Sequence, residues 1–370
     1  MIGKRSRAIK ECDLNNKVEK TVIMSGGGSG GHVVPALTVI KSLPTDVKIV
    51  YIGSEKGIER ELTQQRVSEY FPIRTGKLRR YISIENLKDI FRVLMGIVDA
   101  FKCINKFPKS AVIFTFGGFV TVPVVVAGRL LGRKVFVHEQ TTRVGLANRI
   151  AGFFATKVFV SFKSSLEFFS AKKVVYSGYP IRPEIYQAPK NVKIKNTDLN
   201  SVSRPILFIT GGGNGAKLLN ELVRNSLEEL KKKYFIVHQV GKNFEAEYTK
   251  WEDENYKVFS FLGEEMIPLM KKAQIILSRS GAGTVAEIMS LKKRSIFIPL
   301  KIAQKNEQYH NAIEAQQLLG SLVVTEDQCK EKSLLEIISD FEKSSQKEII
   351  SNDVIDGREF MVSEILKCFE

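Results

Sequence analysis

At 370 residues, with 44% hydrophobic and 26% charged residues, the chain has the composition of a globular protein long enough for two domains. Its 56 Lys and Arg against 40 Asp and Glu leave a net charge of +16, which implies an anionic partner: nucleic acid, an anionic membrane surface or a phosphorylated substrate. Four scattered cysteines without a CxxC pair argue against a disulfide framework or a zinc site, and the basic start lacks the apolar core of a signal peptide, so residues 1–20 read as a disordered tail.

The first strand is expected over residues 21–24, running into Gly26-Gly27-Gly28-Ser29-Gly30-Gly31-His32 and then a helix from Pro35. Gly26, Gly28 and Gly31 formally match the dinucleotide fingerprint, whose glycines let a phosphate or sugar approach the backbone. A nicotinamide reading would also need an acid at the end of the second strand, residues 47–52, where Glu55 is the nearest. His32 follows the glycines at the carboxyl end of a strand, where its near-neutral pKa suits a general base; packing or helix capping is the bland alternative.

Residues 87–101 place Leu87, Ile90, Phe91, Leu94, Ile97, Val98 and Phe101 at helical spacing, flanked by Lys77, Arg79, Arg80, Lys88, Arg92, Lys102, Lys106 and Lys109. Such a helix can lie on an anionic membrane or face the domain core. The uncharged run 111–128 approaches the length of a membrane span but carries Gly117-Gly118 and Pro123, so it reads as strand, glycine turn and helix. Further strands are expected at 135–138, 157–161 and 174–177, with His138-Glu139-Gln140-Thr141 closing the first of them.

The polar stretch 187–204 is the linker candidate, and from Pro205 the opening pattern restarts as strand, Gly211-Gly212-Gly213 turn and helix. Strands follow at 235–240, 258–261, 275–277 and 295–299. After the third of these comes Ser278-Arg279-Ser280-Gly281-Ala282-Gly283-Thr284-Val285-Ala286-Glu287. Free amides at a helix start suit a diphosphate, and Glu287 could accept from ribose hydroxyls; a plain strand-to-helix turn is the alternative. The duplication predicts an α/β protein of two Rossmann-like domains facing a cleft, with a last helix near 353–369 that could pack on either. No D-x-D and no paired histidines indicate a metal, and no aromatic interleaving indicates nucleic acid.

Taken in order, Gly-Gly-Gly-Ser-Gly-Gly-His-Val-Val-Pro-Ala-Leu at 26–37, Gly-Ser-Glu-Lys-Gly-Ile-Glu at 53–59, Gly-Lys-Leu-Arg-Arg-Tyr at 76–81, Gly-Gly-Phe-Val at 117–120, His-Glu-Gln at 138–140, Gly-Leu-Ala-Asn-Arg at 145–149, Gly-Tyr-Pro-Ile-Arg at 178–182 and the stretch 278–287 resemble the MurG family of peptidoglycan glycosyltransferases. The resemblance spans residue 21 to the C-terminal helix. It implies a GT-B fold, with domains at 21–186 and 205–350, a linker at 187–204, and a final helix in 351–370 returning to the first domain.

It also implies inverting transfer of GlcNAc from UDP-GlcNAc to the 4-hydroxyl of undecaprenyl-diphosphate-linked muramyl-pentapeptide, at the cytoplasmic face of the cell membrane as a peripheral protein on its anionic surface. By matching positions, His32 would be the base, Ala282, Gly283 and Thr284 would hold the diphosphate, Glu287 the ribose, backbone near Leu262 the uracil, and Gln308 the sugar hydroxyls. Ser29, Gly30, Gly31, Thr141, Arg182, Gly213 and Arg279 complete the implied substrate-binding set, with Arg182 and the glycine turns on the leaving-group side. No cofactor is implied, and no metal if helix dipoles and Arg hold the leaving group. The chain departs from the family at Thr141, usually Asn; at Gly213, usually Ser; and at Glu307, usually Gln, which puts donor affinity or sugar selectivity in question. A transferase for another acceptor, a nicotinamide oxidoreductase and a silent nucleotide-binding protein are the rival readings.

Overall fold

The computed structural model describes residues 19–76, 84–187, 192–303, 306–344 and 355–370. The tail before residue 19, and Lys77, Arg79 and Arg80 of the expected basic rim, lie outside the described residues. Apolar, β-branched runs form a seven-stranded parallel sheet: β1 (Thr21–Ser25), β2 (Lys48–Ser54), β3 (Glu69–Ile73), β4 (Val112–Thr115), β5 (Val135–Glu139), β6 (Lys157–Val160) and β7 (Val174–Tyr176), in the order β3-β2-β1-β4-β5-β6-β7. Both faces of the central strands are covered, so β1, β4, β5 and β6 read as near-continuous buried runs rather than alternating ones.

Helices α1 (Gly30–Ile40), α2 (Ile58–Thr63), α3 (Ile84–Ile104), α4 (Thr121–Leu130) and α5 (Leu146–Phe154) connect them. α3, α4 and α5 cover one face through Ala100, Ile104, Val124, Ala127 and Ala151, and α1 covers the other through Val33, Ala36 and Val39. α1 begins at Gly30, five residues before the expected start, so Pro35 lies inside it and His32 enters its first turn.

The polar stretch 187–204 is more than a linker. A small antiparallel hairpin, β8 (Lys193–Ile194) with β9 (Thr197–Asp198), forms there, and Val192, Ile194 and Leu199 are buried in the second domain's core. That domain repeats the first topology: β10 (Ile206–Thr210), β11 (Phe235–Gln239), β12 (Tyr256–Phe259), β13 (Ile275–Ser278), β14 (Ile296–Phe297) and β15 (Leu322–Val323), in the order β12-β11-β10-β13-β14-β15. Its helices are α6 (Lys217–Lys233), α7 (Glu245–Tyr248), α8 (Met266–Lys272), α9 (Ala282–Ser290), α10 (Glu307–Leu319), α11 (Gln328–Glu331) and α12 (Leu334–Lys343).

In each sheet the order reverses beside the first strand, at β1/β4 and at β10/β13. That switch point is where an open α/β sheet leaves a crevice beyond its strand ends, and the glycine turns expected from sequence fill both crevices. The last helix, α13 (Gly357–Leu366), returns to the first domain, where Met361 and Ile365 are fully buried beside Val22, Val33 and Phe159.

The chain therefore crosses between domains twice, and the crossings touch. Gly357 N–H donates to the Tyr179 carbonyl (2.9 Å), and Ile181 N–H donates to Asp356 Oδ1 (3.0 Å). Gly178, at φ +79°, sits where a side chain would strike the Ile355 carbonyl, so the close approach requires glycine there.

Candidate active site

On the first domain the turn after β1 is held from beneath by Glu59 of α2, which is fully buried. Its carboxylate accepts from Gly28 N–H (3.2 Å), Ser54 N–H (2.9 Å) and the Ser54 hydroxyl, and Gly27, Gly53 and Gly57 are the positions where a side chain would collide with it. A dinucleotide phosphate in this turn would need the Gly28 amide that Glu59 already holds. The formal fingerprint here builds a scaffold for α1.

His32, half-buried in the first turn of α1, places Nδ1 3.0 Å from the Gly27 carbonyl and 3.1 Å from Ser29 Oγ. A carbonyl only accepts, so Nδ1 carries the proton and the Nε2 lone pair is left free. Burial lowers the pKa below the ordinary 6.5, against opposing effects of the Gly27 bond and the Glu59 charge, which keeps the ring neutral near pH 7. Nε2 faces Gly117, at φ +96°, where an added Cβ would lie 3.1 Å from it and 2.7 Å from Cδ2. The other strand-end histidine is different: His138 is fully buried, bonded to the Ser161 hydroxyl at 2.9 Å, and pushed down to about 3 by burial, so it packs rather than titrates.

On the second domain, the first intrahelical bond of α9 runs from Val285 N–H to the Gly281 carbonyl (3.0 Å), so the amides of Ala282, Gly283 and Thr284 precede the ladder at a partly exposed helix start. α9 and α1 touch across the cleft, which sets this start opposite the His32 turn. Ser280 ties the turn to the start of α10 by donating to the Gln308 carbonyl (2.8 Å), and Asn311 Nδ2 donates to the Ser280 carbonyl (3.1 Å). Gly213 lies under the exposed ring of Phe261, and Leu262 is buried with its N–H donated to Gln239 Oε1 (3.2 Å).

Five expected binding residues are otherwise engaged. Arg182 Nε and a terminal N–H donate to the two oxygens of Glu287 at 2.6 and 2.9 Å, so the carboxylate expected to hold ribose is covered. Arg279 pairs with Glu326 (2.7 Å) and donates to the Ile298 carbonyl (3.0 Å), a bracing role behind the turn. Gln308 Oε1 accepts from Leu300 N–H (3.0 Å). The Thr141 hydroxyl donates to Glu139 Oε1 (2.8 Å). Ser29, Gly30, Gly31, Ala282, Gly283 and Thr284 do lie on the facing turns.

Sequence reasoning did not single out Glu59, Asn148, Tyr179 or Asn311 as site residues. Asn148 donates to Glu139 Oε2 (3.0 Å), and Asn311 Oδ1 accepts from the Thr142 hydroxyl (3.0 Å) across the domains. Glu307, at the start of α10, is pushed up to about 7 by burial and then by the charge of Glu139. Among the described residues no group of three or more His, Cys, Asp or Glu could hold a metal ion, and no described helix is long and apolar enough to cross a membrane.

Residues 22–160 match the glycosyltransferase family 28 N-terminal domain and residues 206–356 its C-terminal domain. The chain is 39% identical over 318 residues to the UDP-N-acetylglucosamine--N-acetylmuramyl-(pentapeptide) pyrophosphoryl-undecaprenol N-acetylglucosamine transferase of Clostridium botulinum strain Langeland, covering 85% of this chain and 89% of that one. The chain belongs to the MurG family of glycosyltransferases. A Bacillus cereus member is 37% identical over 330 residues, 89% of this chain and 93% of its own. The crystal structure of Acinetobacter baumannii MurG superposes with a TM-score of 0.68 at 24% identity, covering 94% of this chain and 99% of that one, which shows the shared two-domain MurG fold.

Proposed function

We propose that the chain transfers GlcNAc from UDP-GlcNAc to the 4-hydroxyl of lipid-linked MurNAc-pentapeptide, with inversion at the anomeric carbon and His32 as the base. The observation that carries the assignment of His32 is its tautomer: Nδ1 is tied to the Gly27 carbonyl, leaving a neutral Nε2 acceptor on the turn opposite α9. Such a group can take the attacking hydroxyl's proton as the C–O bond forms. The leaving UDP gains negative charge at the same time, and the free amides of Ala282 to Thr284 with the helix dipole suit that charge.

The lipid acceptor calls for a membrane surface, and α3 supplies an apolar one. Val93, Ala100, Cys103 and Ile104 face the core, while Ile90, Phe91, Leu94, Val98 and Phe101 are exposed, Phe91 at 64%. On neighbouring α4 and α5, Leu130 and Phe153 are also exposed, beside Arg129 and Arg149. An apolar face edged by basic residues suits peripheral docking on anionic lipid.

The test is transfer of labelled GlcNAc from its UDP donor to a short-chain analogue of the lipid-linked acceptor. The native chain is expected to transfer, and His32→Ala to lose transfer by on the order of 100-fold or more while UDP affinity stays within about two-fold. Preserved transfer in His32→Ala would reject the base.

A further inference from the structure

Arg182 holds Glu287, the carboxylate read as the ribose acceptor. Its guanidinium meets Glu287 through two parallel bonds, and both side chains are mostly buried, 22% and 7% exposed. Three residues earlier on the same interdomain crossing, Tyr179 brings its hydroxyl over the first turn of α9, 2.7 Å from where a Cβ on Gly283 would stand. Glu287 and the first turn of α9 are thus both touched by one short segment. Arg182 also raises a condition on binding: a buried guanidinium stripped of its carboxylate needs another anion. The anion that arrives with the ribose is the diphosphate.

We propose that Arg182 is a positioning residue with two partners, held by Glu287 before the donor binds and passed to the donor's diphosphate as the ribose takes Glu287. The exchange makes ribose and diphosphate binding mutually supportive and discriminates against nucleosides that bring no replacement anion. It rests on the reading of Glu287 as the ribose acceptor. By linkage, an anion that draws Arg182 away must tighten nucleoside binding, and the nucleoside must tighten the anion equally.

The experiment is calorimetric titration of the full chain with uridine, with and without saturating inorganic pyrophosphate, and with UDP. In the native chain pyrophosphate is expected to tighten uridine by roughly ten-fold, within the usual span of coupling between sites. In Arg182→Gln, uridine alone should bind tighter by a similar factor, the coupling should vanish, and UDP should bind more weakly. Independent or competitive binding of uridine and pyrophosphate to the native chain overturns the exchange, and that measurement needs no variant to fold. A folded Arg182→Gln whose uridine affinity is unchanged overturns it as well. Glu287→Ala separates the two readings: undiminished UDP affinity there removes the ribose assignment itself, whereas weakened UDP affinity with no uridine–pyrophosphate coupling leaves the ribose on Glu287 and rejects only the exchange.

Discussion

Gly117 and Glu59 do for His32 what no neighbour in sequence could. Glu59 anchors the turn that supplies the Gly27 carbonyl, and Gly117 leaves the space in which the ring stands. Gly117→Ala would place a methyl within 2.7 Å of the imidazole at a left-handed backbone position, so the ring must move. We expect transfer to fall by roughly 100-fold, as for a displaced catalytic group, with UDP affinity unchanged. Steady-state transfer beside UDP titration measures both. His32 itself was legible because a histidine after a glycine turn marks a strand's carboxyl end. Glu59 was not, since its partners Gly28 and Ser54 come together only when β1 and β2 pair. The engagement of Arg182 with Glu287 was equally hidden, because the residues are 105 positions apart, one on the interdomain crossing and one on α9.

At the scale of elements, the two expected sheets formed because their strands are apolar runs closed by glycine turns. What the pattern missed were the weak edges: β3, with Pro72 and a largely exposed face, and β15, whose two residues are too few to carry a period; β14 formed within the expected 295–299. α3 shows why spacing alone left two readings open. Its apolar residues divide between an inward face that packs in the core and an outward face that is exposed, the one proposed to meet the membrane. Phe91→Asp with Leu94→Asp should cut binding to anionic vesicles by about ten-fold or more and leave the melting temperature within a few degrees, because both side chains are exposed; vesicle sedimentation and calorimetry report the two.

The start of α10 carries a separate pH signature. Glu307 keeps its proton up to about 7 in the fold but releases it at the ordinary 4.5 when unfolded. Its contribution to stability is therefore intact below 4.5 and is lost as pH rises through about 7. Glu307→Gln should raise the melting temperature at pH 8 and change it little at pH 4, read by thermal melts at the two values.

For the whole molecule, polar contacts join the domains at Thr142 with Asn311 and Ser164 with Glu314, and the Arg182–Glu287 pair ties the crossing segment to α9. Contacts of this kind break and reform more readily than a buried apolar interface. The joint beneath them is tighter. Asp356 accepts from Ile181 N–H and, at 2.9 Å, from Arg358 N–H at the start of α13, so it ties both crossings and caps the returning helix. Asp356→Ala removes the cap and leaves the Ile181 amide unpaired, for a loss of about 2–3 kcal/mol. Paired spin labels, one on each domain, should then give a broader distance distribution.

Two backbones crossing side by side act as a door hinge, where a single crossing would act as a ball joint. The domains can swing about the line through Gly178 and Gly357, but twisting or sliding would shear the Gly357–Tyr179 bond. A swing about that line would bring the same faces of α1 and α9 together each time. The alignment of acceptor with donor would then rest on where the returning helix α13 is tied.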